Sequence, residues 1–193
     1  MPKISAATVA EHRARQRSAL VAAARALLVS DGYEGLTFSA LAGQAGLARP
    51  SVYSYFESKD DVVLAVCETS LPGWLARIDE AMARARSPRS KLVAFVRAQL
   101  EAAAAGEHRL AAAVEHAPLS RQTWDRIAEL HEQFAPRISD VIAALGHRQP
   151  EILADLVQGV VSASVARIDA GEPPERVIRA ATRLVLHGLG GDA

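Results

Sequence analysis

Residues 31–61 constrain this chain more than any other stretch. They read as two short helices, over roughly 38–45 and 49–56, joined at Gly46 and followed by the start of a third. Two short helices on a tight glycine turn form the unit that places a recognition helix in a DNA major groove. Thr37 stands where it can N-cap the first of them, with Leu36 and Leu41 as a hydrophobic staple. Phe38, Leu41, Ala42 and Ala45 give that helix one apolar face. Leu47, Val52 and Phe56 are the apolar positions of the second, which leaves Arg49, Ser51, Ser54 and Tyr55 to point outward. Ser58 is placed to cap the next helix, with Asp61 at the capping-box position and Asp60 in its acidic first turn.

The rest of the chain also reads as helix. Of its 193 residues half are hydrophobic, but few are aromatic, and valine sits in helix-period patterns instead of alternating. Met1 to about Val9 reads as a loose tail, and 10–30 as a helix with Leu20, Ala23, Ala24, Leu27 and Leu28 on one side, ended by Gly32. The helix that starts after Ser58 meets Pro72-Gly73, which predicts a kink or break. Ser87-Pro88 opens the next, closed by Gly106, and a short helix follows at about 107–116. A long helix is expected from Pro118 to Leu145, kinked at Pro136, and two more from Pro150 to Gly171 and from Pro173 to near Gly188. The expected fold is all-α with about nine helices. Residues 1–57 form a three-helix helix-turn-helix domain, and 58–193 a helical ligand-binding and dimerisation domain.

The net charge is zero, which alone argues against a nucleic-acid partner. The distribution reverses that argument. Residues 1–30 carry Lys3, Arg13, Arg15, Arg17 and Arg25 against Glu11 alone, whereas the chain beyond residue 60 has more acidic than basic side chains. Positive charge, Arg17 included, is concentrated where the first helix would meet phosphate. The single Cys67 excludes an internal disulfide framework and fits a reducing cytoplasm. No signal peptide and no apolar run of membrane length is present. The six histidines show no metal-ligand spacing.

Residues 13–66 resemble the DNA-binding domain of the tetracycline-repressor (TetR) family of bacterial regulators. The matching pieces are Gly32-Tyr33, Thr37, Leu41-Ala42, Ala45-Gly46-Leu47 and, most specifically, Val52-Tyr-Ser-Tyr-Phe-Glu-Ser-Lys59. Ala48 departs from the pattern, standing where the family commonly has a capping Ser or Thr; Pro50 suits the first turn in its place. The resemblance implies a double-stranded DNA operator read by a homodimer. It assigns base and phosphate contacts to the positions of Tyr53, Ser54 and Tyr55. Thr37 at a helix N-terminus and Lys59 at the start of the following helix are placed to meet phosphate.

The helix from Pro150 to Gly171 is apolar nearly all round, and its small residues at Gly159, Ser162, Ala163 and Ala166 permit close approach of another helix; the last helix offers Val177, Ile178, Ala181, Leu184, Val185 and Leu189. The resemblance implies that this pair packs against its symmetry mate, which would bury Leu156, Val160, Ala163, Ala181 and Leu184 between subunits. A cavity for a small apolar effector is expected among the helices of the second half, because sites in helix bundles are apolar with a few placed polar groups. Its candidate lining is Phe95 and Gln99, then Trp124, Ile127, His131 and Phe134 on one face, and Gln158 and Ser162.

Catalysis finds no support. There is no glycine-rich phosphate loop, nucleophile elbow or His-Glu metal motif. Glu107-His108 and Glu115-His116 are adjacent pairs, which point about 100° apart on a helix and cannot form a dyad by proximity alone. The reading is therefore a cytoplasmic transcriptional regulator without a cofactor, a repressor relieved by a small molecule. Its alternatives are a constitutive DNA-binding regulator and a helical adaptor for protein.

Overall fold

The computed structural model describes residues 6–106, 108–115 and 117–188, with side chains from residue 9 onward. Lys3, Glu107, His116 and Leu189 lie outside the described residues. Among the described residues all regular structure is helical, as ten helices: α1 (Ala6–Gly35), α2 (Phe38–Ala45), α3 (Arg49–Val52), α4 (Lys59–Ala83), α5 (Pro88–Ala104), α6 (Arg109–Glu115), α7 (Arg121–His131), α8 (Phe134–Ala143), α9 (Pro150–Asp169) and α10 (Pro174–Gly188). They gather into two compact units, one of residues 1–70 and 109–127, the other of 71–108 and 128–193. The expected boundary at 57/58 knows nothing of the return of 109–127 to the first unit.

The first unit is built on α1, against which α2 and α6 pack. Its core holds Leu20, Ala24, Leu36, Leu41, Val52, Val62, Val63 and Val66, all fully buried. Each such leucine or valine contributes about 1.5–3 kcal/mol of burial. In the second unit α5 packs against α8, α9 and α10, and α9 against α8 and α10. Ile78, Leu92, Phe95, Val96, Leu100 and Ile142 are sealed from solvent there.

Four expectations are corrected. Ala6–Val9 already belong to α1 and are no tail. Gly32, at φ 68°, does interrupt the helical path, and only Tyr33–Gly35 wind on beyond it. Pro72 leaves α4 continuous from Lys59 to Ala83. Proline removes one hydrogen bond there, but Val66, Leu71, Leu75 and Ile78 bury one face on both sides of it, and packing outweighs the lost bond. The long helix expected over 118–145 is two helices, parted at Glu132-Gln133. The ring of Pro136 would strike the carbonyl four residues back, at Glu132, so the proline sits instead in the first turn of α8. Finally α3 stops at Val52, with residues 53–55 wound in tighter i→i+3 turns.

Asp60 joins two helices of the first unit. Its Oδ2 accepts from the Ser120 backbone N–H at 2.8 Å and the Thr123 hydroxyl at 3.0 Å, capping the start of α7. Partial burial pushes its carboxyl up, but the bonds from Ser120 and Thr123 outweigh that and hold it below the ordinary carboxylate value. A lowered folded-state pKa means stability that is present above the unfolded value near 3.9 and lost as pH falls through the folded value. Asp60→Ala is expected to lower stability by about 1 kcal/mol at neutral pH. In melting curves recorded against pH, that difference should begin to shrink as pH falls below about 4 and vanish only below the lowered folded-state value. Burial and the neighbouring Glu68 push the Cys67 thiol up to about 11, so thiolate reagents should leave the folded protein unlabelled at pH 8.

Candidate nucleic-acid interface

The turn between α2 and α3 is set by a few local bonds. Thr37 caps α2 by accepting from Ala40 N–H at 3.1 Å, and its hydroxyl hydrogen stays available on an exposed residue. Gly46 ends α2 in the left-handed region at φ 67°, and Leu47 N–H closes back on Ala42 O at 2.9 Å. That conformation favours glycine. Ala48 precedes α3 without a side-chain cap, and Pro50 occupies the first turn. Ser58 and Asp61 form the expected capping box at the start of α4: Asp61 Oδ2 accepts from Ser58 N–H at 2.9 Å and Ser58 Oγ from Asp61 N–H at 3.1 Å.

One face of α3 presents Arg49 and Tyr53, one turn apart. Tyr53 is 51 % exposed, its ring edge-on to Phe38 at 4.7 Å and its hydroxyl accepting from Arg49 at 3.4 Å. Phe38, which the sequence assigns only to the apolar face of α2, thus props the tyrosine outward. Ser51 is half-buried, and Ser54 is exposed but spends its hydroxyl on Ser51 O at 2.6 Å.

Two residues stand differently from the sequence reading. Tyr55 does not point outward. It is half-buried, donates its hydroxyl to Gln16 Oε1 at 2.6 Å, and lies under the Arg13 guanidinium at 5.4 Å. Arg13 also donates to Ser54 O at 2.9 Å, so α1 clasps the end of α3 from behind. The spacing argument fails because it extends a 3.6-residue period past Val52, where the helix has ended. Lys59 donates to Tyr33 O at 2.8 Å with its ammonium 3.8 Å from that ring's centroid, an engagement that spacing alone does not reveal. Arg17 is exposed, its guanidinium over Phe56 at 5.6 Å.

The second unit carries an apolar surface. Leu156 on α9 and Leu184 on α10 are 61 % and 62 % exposed, and Ile152, one turn before Leu156, is exposed too. Between the two helices runs a groove of about 360 Å³ that includes Val160, Ala163, Val177 and Leu184, with Arg167 and Glu172 along it. Ala163 is exposed and Val160 half-buried. Ala181 lines the same groove but is largely buried in the unit's own core.

The residues proposed for an effector divide between the two units. Trp124 and Ile127 pack into the core of the first. Phe95 and Phe134 are buried in the second, where Gln99 accepts from Gln158. His131, exposed, stacks on Phe134 at 6.1 Å. Ser162 faces solvent and does not join them. Helical spacing puts Trp124, Ile127, His131 and Phe134 on one stripe, but the helix breaks before Phe134 and the stripe spans both units.

With this geometry in view, the pattern of residues 20–66 matches the family model of bacterial regulatory proteins of the tetR family. The helix-turn-helix segment thus carries that family's pattern. Similar proteins include the fatty acid metabolism regulator protein of Bacillus subtilis (strain 168), 28 % identical over 92 residues, which are 48 % of this chain and 47 % of the relative. The transcriptional activator FasR of Mycolicibacterium smegmatis is 29 % identical over 86 residues, 45 % of this chain and 39 % of its own. The match spans about half the length of these relatives or less. The fold agrees with that of FadR from Bacillus subtilis, solved with stearoyl-CoA, at a TM-score of 0.75 and 17 % identity, covering 89 % of this chain and 98 % of that one. Among the described residues, no helix is long and apolar enough to cross a membrane, and no group of His, Cys, Asp and Glu is placed to hold a metal ion.

Proposed function

We propose that this chain is a homodimeric, DNA-binding transcriptional regulator of the cytoplasm, a repressor released by a small apolar effector and without catalytic activity. The observation that carries the reading is the exposed Arg49–Tyr53 face on a short helix braced by Phe38 and clasped by Arg13. An exposed aromatic beside an arginine on one helix turn suits base edges in a major groove. Arg49, Ser51 and Tyr53 would read bases. Arg17, Thr37, Ser54 and Lys59 would meet phosphate. Tyr55, engaged with Gln16, would act by holding α3 in place.

Dimerisation would bring two such heads to one operator. The exposed leucines on α9 and α10 support it, since contiguous apolar surface rimmed by charge marks an interface. Effector binding and dimerisation belong to residues 58–193 in this reading. A ligand that binds the DNA-free state better releases the operator in proportion to its differential affinity. The relatives' names, one a fatty acid metabolism regulator and a fold neighbour solved with stearoyl-CoA, support an effector of largely apolar character. The test is a gel shift on genomically selected DNA: retarded bands that a hydrophobic compound releases are expected. DNA binding indifferent to every such compound would leave a constitutive regulator, and no DNA binding a protein adaptor.

A further inference from the structure

Arg49 and Tyr53 together present hydrogens, and that selects the base they can meet. Arg49 is exposed at the start of α3, and a guanidinium has donors only. Its Nη2 donates to Tyr53 Oη at 3.4 Å. The phenol thus spends a lone pair inward and keeps its O–H hydrogen for an outside acceptor. A second donor approaching that oxygen would meet the positive charge already on it. Phe38, edge-on to the Tyr53 ring at 4.7 Å, limits where the hydroxyl can go.

Backbone acceptors close by are spent within the protein. Ala48 O accepts from Ser51 N–H at 2.9 Å, and Val52 O from Tyr55 N–H at 2.9 Å and Phe56 N–H at 3.1 Å. Ser51 O accepts from Ser54 N–H at 3.2 Å and from Ser54 Oγ at 2.6 Å. Ser54 O takes the Arg13 guanidinium at 2.9 Å. Ser54 Oγ keeps lone pairs to share, but it takes no part in the Arg49–Tyr53 bond.

In the major groove guanine shows two acceptors side by side, N7 and O6. Adenine and cytosine show an amino group that would meet these donors hydrogen to hydrogen, and thymine shows one acceptor beside a methyl. The two donor atoms lie 3.4 Å apart, close enough to end on one base edge. Phosphate oxygens also accept, but Arg49 opens the recognition helix, whose N-terminal residues meet base edges in this motif.

Resting on the DNA-binding reading above, we infer that each operator half-site carries a guanine whose N7 and O6 accept from Arg49 and Tyr53. This pair sets the sequence preference at that base pair.

The experiment uses the full chain and operator duplexes recovered by selection from genomic DNA. Each guanine of a half-site is replaced in turn by 7-deazaguanine, which lacks the N7 acceptor, or by hypoxanthine, which keeps both major-groove acceptors and loses only the minor-groove amino group. In gel shifts one guanine should respond to 7-deazaguanine with about a tenfold loss of affinity, and to hypoxanthine with little change. The double variant Arg49→Ala/Tyr53→Phe should bind the 7-deazaguanine and unmodified duplexes alike, because the contact is already gone. Both side chains are exposed and the phenylalanine keeps its ring on Phe38, so this variant should melt with the unsubstituted chain. If the selected half-sites share no guanine, or every 7-deazaguanine is tolerated, the inference is overturned while the DNA-binding reading stands. A lowered salt slope in the double variant would then assign the pair to phosphate. If the double variant still discriminates the two duplexes, another residue reads that guanine and the inference is again overturned. If selection enriches no DNA, both readings are overturned.

Discussion

Leu156→Arg and Leu184→Arg are each expected to give a folded monomer that has lost its operator. Both leucines are more than half exposed on the single chain, so a polar replacement costs the subunit little, within about 0.5 kcal/mol. In a two-fold seam the same change places an unpaired charge on an apolar face twice, once from each subunit. Burying such a charge costs several kcal/mol, and every 1.4 kcal/mol is about a tenfold loss of affinity. Sedimentation velocity at micromolar concentration should show the unsubstituted chain as a dimer and both variants as monomers with unchanged melting temperature. Operator affinity falls with the dimer, because two half-sites are then no longer held by one molecule. Ala181→Arg is the informative contrast. Ala181 lies in the subunit's own core as well as along the groove, so this variant should lower the melting temperature, which the leucine variants do not. Dimers persisting in both leucine variants would refute the α9–α10 interface.

Tyr53→Ala is expected to weaken operator binding by about tenfold to a hundredfold, the range of one to two good base contacts. The fold should hardly notice. The exposed ring contributes an edge-on contact with Phe38, worth about 0.5–1.5 kcal/mol, and one long bond from Arg49. Tyr55→Ala should do the reverse. It deletes a half-buried ring, the bond to Gln16 and the platform under Arg13, so thermal stability falls first and DNA affinity only as α3 loosens. Lys59→Ala separates charge from sequence reading: if its ammonium leaves Tyr33 for a phosphate, the slope of log affinity against log salt should drop by about one. Melting curves and salt-dependent gel shifts on the three variants check this. Equal loss of affinity for Tyr53→Ala and a scrambled DNA would show that Tyr53 reads no base.

The helix-turn-helix was legible because its signals are local. Thr37, Gly46, Ser58 and Asp61 act within four residues of themselves, and each makes the bond that its position implies. The burial of Leu41, Val52 and Phe56 likewise follows from short-range spacing. What failed depended on where an element stops or on which distant element it meets. Tyr55 was misread because α3 ends at Val52, and its partner Gln16 lies far back along the chain. Ala181 and Leu184 lie one turn apart on α10, and spacing alone does not tell which of them the subunit's own core takes. Trp124 and Ile127 share a stripe with Phe134, yet residues 109–127 return to the first unit, which no local pattern announces. Pro72 and Pro136 carry the same residue-level warning. Packing on both sides overrode it at one, and the clash with Glu132 enforced it at the other.

Selection of genomic fragments by the purified dimer, followed by footprinting of the enriched DNA, tests the central claim most directly. Enrichment should converge on a short inverted repeat whose half-site centres lie about one helical turn, ~34–36 Å, or a multiple of it apart. The protected bases should change when Arg49 or Tyr53 is replaced. Enrichment of no common sequence, or of a site without two-fold symmetry, would contradict the account.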